Sequence, residues 1–285
     1  MYTTIIVGYD ESEASKAALK ESSLWVKKHG GRLFLVHALF FNEEEFSNLP
    51  AQREQRLELG GKICKTAKQT ILAEDAIEVE SLICEGEPPE VITDVARGKE
   101  ADLIALGTYG KRGLRRLLMG SVTVEVILKA TCDVLVVKRQ CSKCTGQYGS
   151  LLVSFDGSES SRKALKRACE LSKIDNAVVS VLYVIPRYEE MIEFFKTDSV
   201  KKSLQREAEK IIAQAQKTAV ESGVGLKTYI REGNAADEII SAAEGLENDL
   251  IVMGTYGWKG FSKAVMGSTT RRVVTHASCP ILVVK

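Results

Sequence analysis

The sequence has no apolar run of the ~20 residues that a membrane-spanning helix requires. Its first residues reach Asp10 with neither the basic stretch nor the apolar segment of a secretory signal. An excess of charge of one sign is also missing, because 39 Lys and Arg residues stand against 38 Asp and Glu residues and the formal net charge is +1. These absences argue against a membrane partner and against a broad nucleic-acid-binding surface.

The sequence also lacks the cysteine pattern of a disulfide framework. The seven cysteines are irregularly spaced, and their odd number leaves at least one thiol unpaired within the chain. Cys141 and Cys144 form a lone CxxC, which is only half of a four-cysteine zinc site. This cysteine usage favours a reducing compartment. Together with the missing secretory signal, it predicts a cytoplasmic protein.

The chain does contain a long internal repeat. The segment GTYGKRGLRRLLMGS begins at Gly107, and GTYGWKGFSKAVMGS, with the same glycine spacing, begins at Gly254. IIVGYDESEASKAALK near the start returns as LLVSFDGSESSRKALK, which pairs Asp10 with Asp156. A repeat of this length is a duplicated domain and not an array of small units. We therefore expect one domain over residues 1–138, a linker over 139–149 and a second domain over 150–285.

Short apolar segments alternate with helical patterns in both halves. ADLIALG and DLIVMG are almost continuously apolar, which is typical of strands buried on both faces of a parallel sheet. The alternation predicts an α/β fold of two tandem, doubly wound domains, each with a five-stranded parallel sheet. In such sheets the ligand binds beyond the carboxyl ends of the strands, at a topological switch point.

The repeated pattern G-x2-G-x9-G-S follows the fourth predicted strand of each half. Glycine lets a ligand approach the backbone, and the N–H groups of a helix N-terminus attract anions. Ser121 and Ser268 are placed to cap the next helix or to contact a phosphate oxygen. The glycines could serve the turns alone, but recurrence of the full pattern favours a phosphate site in each half. Neither a GxGxxG fingerprint nor a GxxxxGK[ST] loop is present.

Both halves resemble universal stress protein domains, and the chain as a whole resembles a tandem universal stress protein. The glycine pattern matches the G-x2-G-x9-G-[ST] signature of the ATP-binding branch of that family. The resemblance implies Rossmann-like domains of the HUP type. It also implies ATP or AMP as the ligand, with Mg²⁺ or Mn²⁺ as an accompanying ion.

Position by position, the resemblance implies a role for each part of the site. The strand-end aspartates contact ribose or the cation, the end of the second strand holds adenine through its backbone, and the glycine loop holds phosphate. The residues implied in the first half are Gly8, Asp10, Ala38, Leu106, Gly107, Gly110, Gly120, Ser121 and Val122. Those implied in the second half are Ser154, Asp156, Val184, Met253, Gly254, Gly257, Gly267, Ser268 and Thr269.

Three functions are compatible with these residues. The resemblance implies a stress-response protein that acts as a nucleotide-dependent sensor or regulator. A slow ATP hydrolase is the alternative, although no His, Glu or Arg recurs in both loops to orient water, and we assign no catalytic residue. An interaction module without nucleotide is the third, and the intact glycines disfavour it. The resemblance also implies that the two halves associate through the apolar segments VLVVK and PILVVK, as an intrachain pseudo-dimer, and that two chains can form a homodimer.

Overall fold

The computed structural model describes residues 1–40, 50–108, 120–138, 143–186, 198–256 and 266–285. It divides into two compact units, Met1–Gln147 and Tyr148–Lys285. Within the described ranges, no helix combines the length and the apolar character needed to cross a membrane.

The first unit alternates strands and helices along the chain. Its strands are β1 (Thr4–Gly8), β2 (Arg32–Leu39), β3 (Val79–Glu85), β4 (Leu103–Gly107) and β5 (Asp133–Val137). Its helices are α1 (Glu13–His29), α2 (Pro50–Asp75), α3 (Pro88–Gly98) and α4 (Ser121–Lys129). The sheet order is β3-β2-β1-β4-β5, and the described pairings within it are parallel.

The centre of this sheet is buried on both faces. Ile5, Ile6, Val7, Leu35 and Ile104 are each 0% exposed. Consecutive buried residues along one strand require cover on both sides of the sheet, and the helices supply it. The continuous apolar runs of the sequence have this cause.

The second unit repeats the arrangement. Its strands are β6 (Ser150–Ser154), β7 (Val178–Pro186), β8 (Leu226–Gly233), β9 (Leu250–Gly254) and β10 (Ile281–Val284). Its helices are α5 (Glu159–Asp175), α6 (Asp198–Glu221), α7 (Ala235–Gly245) and α8 (Ser268–His276). The order within this unit is β8-β7-β6-β9-β10, again with parallel pairings. The predicted fold class, two doubly wound α/β domains with five-stranded parallel sheets, is confirmed.

The first helix of each unit begins in the same way. The Ser12 hydroxyl accepts a hydrogen bond from Ser15 N at 3.1 Å, and the Ser158 hydroxyl accepts one from Ser161 N at 3.2 Å. A serine cap satisfies an N–H group that the helix itself leaves unbonded. The helices α1 and α5 are thereby fixed where they leave β1 and β6.

Part of the segment between β5 and β6 is hydrogen-bonded to α1. Cys144 Sγ donates to Ala17 O at 3.3 Å, and Thr145 N donates to the buried Glu21 carboxylate at 3.1 Å. Gly146 has a φ of +63° at this point, a conformation that glycine adopts without strain. These residues lie in the first unit, so part of the predicted linker packs on the domain that precedes it.

Candidate functional site

The candidate site of each unit lies where the sheet changes winding direction. In the first unit the chain passes from β1 through α1 to β2 on one side, and from β4 through α4 to β5 on the other. The carboxyl ends of the neighbouring strands β1 and β4 therefore form the switch point, at which doubly wound sheets bind ligands. Asp10 follows β1 there and Gly107 ends β4. Asp156 and Gly254 occupy the matching places after β6 and in β9.

Gly107 and Gly254 are glycines because a helix packs against them. A Cβ on Gly107 would lie 2.5 Å from the carbonyl carbon of Ala14, in the first turn of α1. A Cβ on Gly254 would lie 2.7 Å from Ser160 Cβ and 2.8 Å from its carbonyl carbon, in α5. Neither glycine has a positive φ in the structure. The sequence pattern predicted a turn or a ligand contact at these glycines, and this helix contact was not predicted.

Each glycine-rich loop is closed at its base by a backbone hydrogen bond. Gly120 N donates to Thr108 O at 2.8 Å, and Gly267 N donates to Thr255 O at 3.2 Å. The two ends of each loop are thus held together beside the carboxyl end of the strand that precedes the loop. Gly110 and Gly257, the middle glycines of the motif, lie outside the described residues.

Among the described residues, the helices that follow these loops begin at glycines, which supply no side-chain cap. Gly120 is the N-cap of α4, with φ −62° and ψ 143°, and Gly267 is the N-cap of α8; neither N-terminus has a side-chain cap hydrogen bond. Ser121 and Ser268 are the first helical residues and are exposed, so the glycines, and not these serines, occupy the cap position. Because glycine has no side chain that could accept from the first-turn N–H groups, neither N-cap residue offsets the partial positive charge of its helix N-terminus.

Two threonines outside the predicted set of site residues hold these helices to the strands. Thr123 Oγ1 donates to Gly107 O at 2.9 Å, and Thr270 Oγ1 donates to Gly254 O at 3.1 Å. The sequence did contain a signal, because threonine recurs at the third helical position in both repeats. Val122 and Thr269, the intervening predicted residues, are half-buried.

The two strand-end aspartates organise the start of the first helix. Asp10 Oδ1 accepts from Ser12 N at 3.0 Å, and Asp156 Oδ1 accepts from Ser158 N at 3.0 Å. The backbone N–H groups of both aspartates are directed at a serine hydroxyl of the helix, at 3.3 and 3.4 Å. Each carboxylate is half-buried at the switch point. The aspartates therefore have a structural role in addition to any contact with a ligand.

The residue after each aspartate has a left-handed backbone. Glu11 has a φ of +63° and Gly157 a φ of +80°, although only glycine adopts this region without cost. A Cβ on Gly157 would meet no atom closer than 3.5 Å, so steric space does not explain the glycine. The two repeats differ here in backbone strain.

Substitutions at these two positions measure that strain. We expect Glu11→Gly to be more stable than Glu11→Ala by about 1 kcal/mol, and Gly157→Ala to lose about 1 kcal/mol. Comparison with Ala removes the contribution of the Glu11 side chain. Urea denaturation of the full chain gives the free energies of unfolding. Equal stabilities of the Gly and Ala variants at position 11 would contradict the prediction.

The predicted adenine side of the site is formed largely from the sheet. A Cβ on Gly8 would lie 2.6 Å from Leu106 Cδ2 and 2.8 Å from Ile92 Cδ1, so Gly8 leaves room for these side chains, and Ser154 takes its place in the second unit. Leu106 and Met253 are each 3% exposed and belong to the interior. Ala38 is half-buried near the end of β2, and Val184 is buried near the end of β7.

A histidine and a tyrosine join β1 to β2 beside the first site. His37 Nδ1 lies 2.8 Å from Tyr9 O, and Tyr9 N donates to Val36 O at 2.9 Å. The histidine therefore has a structural contact with the backbone that follows β1. Burial, followed by the charge of Glu11, raises the pKa of the Tyr9 phenol to about 12. Its hydroxyl stays protonated at physiological pH and can donate a hydrogen bond.

Comparison with known proteins places both repeats in one family. The model of the universal stress protein family matches residues 1–138 and 147–285. A universal stress protein of Methanocaldococcus jannaschii is 34% identical over 140 residues, which are 48% of this chain and 82% of that protein. A universal stress protein of Mycobacterium bovis is 23% identical over 292 residues and covers 99% of this chain and 96% of its own length.

A solved structure has a similar fold over nearly the full length of the chain. The universal stress protein from Archaeoglobus fulgidus superposes with a TM-score of 0.74 at 20% identity, over 99% of this chain and 98% of that chain. At this identity the likeness concerns the fold. The family match, which extends over both repeats, carries the assignment: the chain belongs to the universal stress protein family and contains two of its domains in tandem.

Proposed function

We propose that each unit binds one adenine nucleotide, ATP or AMP, and that the protein acts as a nucleotide-dependent sensor or regulator in a stress response. One observation carries the proposal. At the switch point of each sheet, a helix begins at a glycine with no side-chain cap, where Asp10 or Asp156 follows the neighbouring strand. An uncapped helix N-terminus in this place suits a phosphate group.

The phosphate, ribose and adenine groups of the nucleotide would lie side by side along the carboxyl ends of neighbouring strands. The phosphates would lie at the N-termini of α4 and α8, against backbone N–H groups that include those of Ser121 and Ser268. Ribose would lie beside Asp10 and Asp156, and adenine would be held by backbone groups near Ala38 and Val184. The described residues contain no group of three or more His, Cys, Asp or Glu side chains that could hold a metal. Mg²⁺ or Mn²⁺ would therefore depend on phosphate oxygens for most of its ligands.

Binding without rapid turnover separates a sensor from a hydrolase. Among the described residues of both sites, the repeated carboxylates are those of Asp10 and Asp156, and each already accepts a backbone hydrogen bond. A hydrolase needs a group that orients the attacking water. Slow hydrolysis is the second candidate, and association of the two halves through β5 and β10 stays a prediction.

Thermal unfolding with added nucleotide tests the proposal. A ligand that binds only the folded state contributes about 2.7 kcal/mol at about 100 times its dissociation constant. Each kcal/mol raises the Tm of a protein of this size by roughly 2–4 °C, so saturating ATP or AMP with Mg²⁺ should raise the Tm by roughly 5–10 °C. GTP should raise it less, because backbone groups that match the adenine edge do not match guanine.

The same samples distinguish the alternatives. Protein freed of bound nucleotide by denaturation and refolding should show the shift without releasing phosphate faster than a protein-free control. If the protein releases phosphate rapidly and the Asp10→Ala variant does not, the protein is a hydrolase and the sensor proposal is wrong. If no nucleotide changes the Tm of the nucleotide-free protein, the interaction module is the remaining function.

A further inference from the structure

The first unit contains a cavity on a different part of its surface from the switch point. The cavity lies between helix α2 and strand β3, has a volume of about 440 Å³ and is lined by residues of both elements. Pockets that bind small molecules span roughly 300–1,000 Å³. Strand β3 is the outermost strand in the sheet order of this unit, on the far side of β2 from β1 and β4.

Apolar side chains line both sides of the cavity, with Ser81 between the two apolar residues of the strand. Cys64 and Val79, which are 1% and 5% exposed, lie on facing elements, and Ile83 continues the strand side. Leu72 lines the cavity from the last turns of α2 and remains 53% exposed. A ligand that covered Leu72 would remove apolar surface from water and would be stabilised in proportion to that area.

Two lysines on one wall give the cavity a positive charge. Lys65 and Lys68 line it from α2, and their spacing of three residues places them on the same face of the helix. Neither lysine forms an ion pair or hydrogen bond with a described residue. Their stems can lie along the apolar wall while the ammonium groups face the opening.

The second unit shows that the fold itself does not require these lysines. The buried residues Cys64 and Ile71 of α2 correspond to the buried Ile212 and Ala219 of α6. In that register, Lys65 and Lys68 are replaced by alanine and glutamine in the sequence of α6, at positions 213 and 216. The lysine pair is therefore a property of the first unit.

We propose that this cavity binds an amphipathic carboxylate, of the class of a medium-chain fatty acid. The carboxylate pairs with Lys65 and Lys68, and the hydrocarbon chain lies on Leu72 and Val79. Glu78 lines the end of the cavity where α2 leads into β3, and its charge directs the carboxylate away from that end. Apolar burial together with two cations favours such a ligand over either a neutral lipid or a small inorganic anion.

Calorimetric titration of the full chain with sodium octanoate tests the chemistry of the site. We expect octanoate to bind to a single site, and 1-octanol and acetate to bind more weakly because each lacks one half of the ligand. If octanol binds as tightly as octanoate, the lysines take no part and the proposal is wrong. Absence of octanoate binding also overturns it.

A pair of variants tests the location. The double variant Lys65→Gln/Lys68→Gln should bind octanoate about tenfold more weakly, the loss expected for two partly exposed ion pairs. The Tm of the double variant should equal that of the unmodified protein, because neither lysine has a described partner to lose. Lys62→Gln is the matched control, because Lys62 pairs with Glu58 on the same helix and does not line the cavity. Equal affinity of the double variant and the control would place octanoate elsewhere.

Cysteine protection gives a readout that does not depend on the lysines. Cys64 lines the cavity, whereas Cys169 is equally buried, at 1% exposure, in the second unit. Burial raises the pKa of the Cys64 thiol to about 11, so its alkylation by iodoacetamide requires transient separation of α2 from β3. Octanoate bound between these two elements should slow this alkylation, measured by peptide mass spectrometry, and should leave that of Cys169 unchanged. Equal protection of both cysteines, or of neither, would contradict binding in this cavity.

Discussion

Replacing Gly107 with alanine is expected to destabilise the first unit by about 3 kcal/mol. The added Cβ would lie 2.5 Å from the carbonyl carbon of Ala14, which belongs to the backbone of α1 and cannot move by rotating a side chain. The helix would have to shift away from β4. Because α1 leads directly from the Asp10 turn, the shift should also weaken nucleotide binding in that unit. Gly254→Ala should act in the same way, since Ser160 occupies the equivalent space.

The chain offers a matched control for each of these substitutions. Gly98 and Gly245 are the last residues of α3 and α7, and a Cβ on either would meet nothing within 4 Å. Alanine there should be neutral or stabilising by up to about 1 kcal/mol. Calorimetric unfolding should show a Tm that is lower by roughly 10 °C for the strand-end variants. A Gly107→Ala protein as stable as Gly98→Ala would show that the helix does not constrain this position.

The repeat and its glycine pattern were sufficient to predict the architecture. The repeat length and the alternation of strands and helices follow from where apolar runs and helix starts fall along the chain, and these are local features of the sequence. The order of the strands in each sheet was not predicted. The reason for Gly107 was not predictable in the same way. It depends on the distance between a strand end and a helix start that are remote in sequence, and only packing determines that distance.

The same distinction applies to the polar residues. The Asp10 turn follows from a short local pattern, because aspartate commonly bonds the N–H two residues later. The bond from Thr123 to Gly107 O joins the start of α4 to the end of β4, 16 residues earlier in the chain. Its signal in the sequence is the recurrence of threonine at Thr270. The lysine-lined cavity had no signal at all, since exposed lysines on a helix usually indicate no more than a solvated face.

Gly120→Asp is expected to abolish nucleotide binding in the first unit without lowering its stability. With φ −62° and ψ 143°, the position has the extended backbone of an N-cap, where aspartate is a preferred residue. The new carboxylate would accept from the N–H groups of the first turn of α4 and occupy the place proposed for phosphate. Repulsion between the carboxylate and phosphate should weaken binding about 100-fold or more, while the Tm stays equal or rises slightly.

Asparagine at the same position distinguishes the two causes of the lost affinity, which are the occupied phosphate place and the charge repulsion. Gly120→Asn caps the helix without a charge, so we expect it to weaken binding by about tenfold, the value of one or two lost hydrogen bonds. In the second unit, Gly267→Asp should act similarly at a small steric cost, because its Cβ would lie 3.3 Å from Thr255 O. Calorimetric titration with ATP should then give one remaining site in each aspartate variant. Two sites of unchanged affinity in Gly120→Asp would mean that phosphate does not bind at the start of α4, whatever the nucleotide does to the Tm.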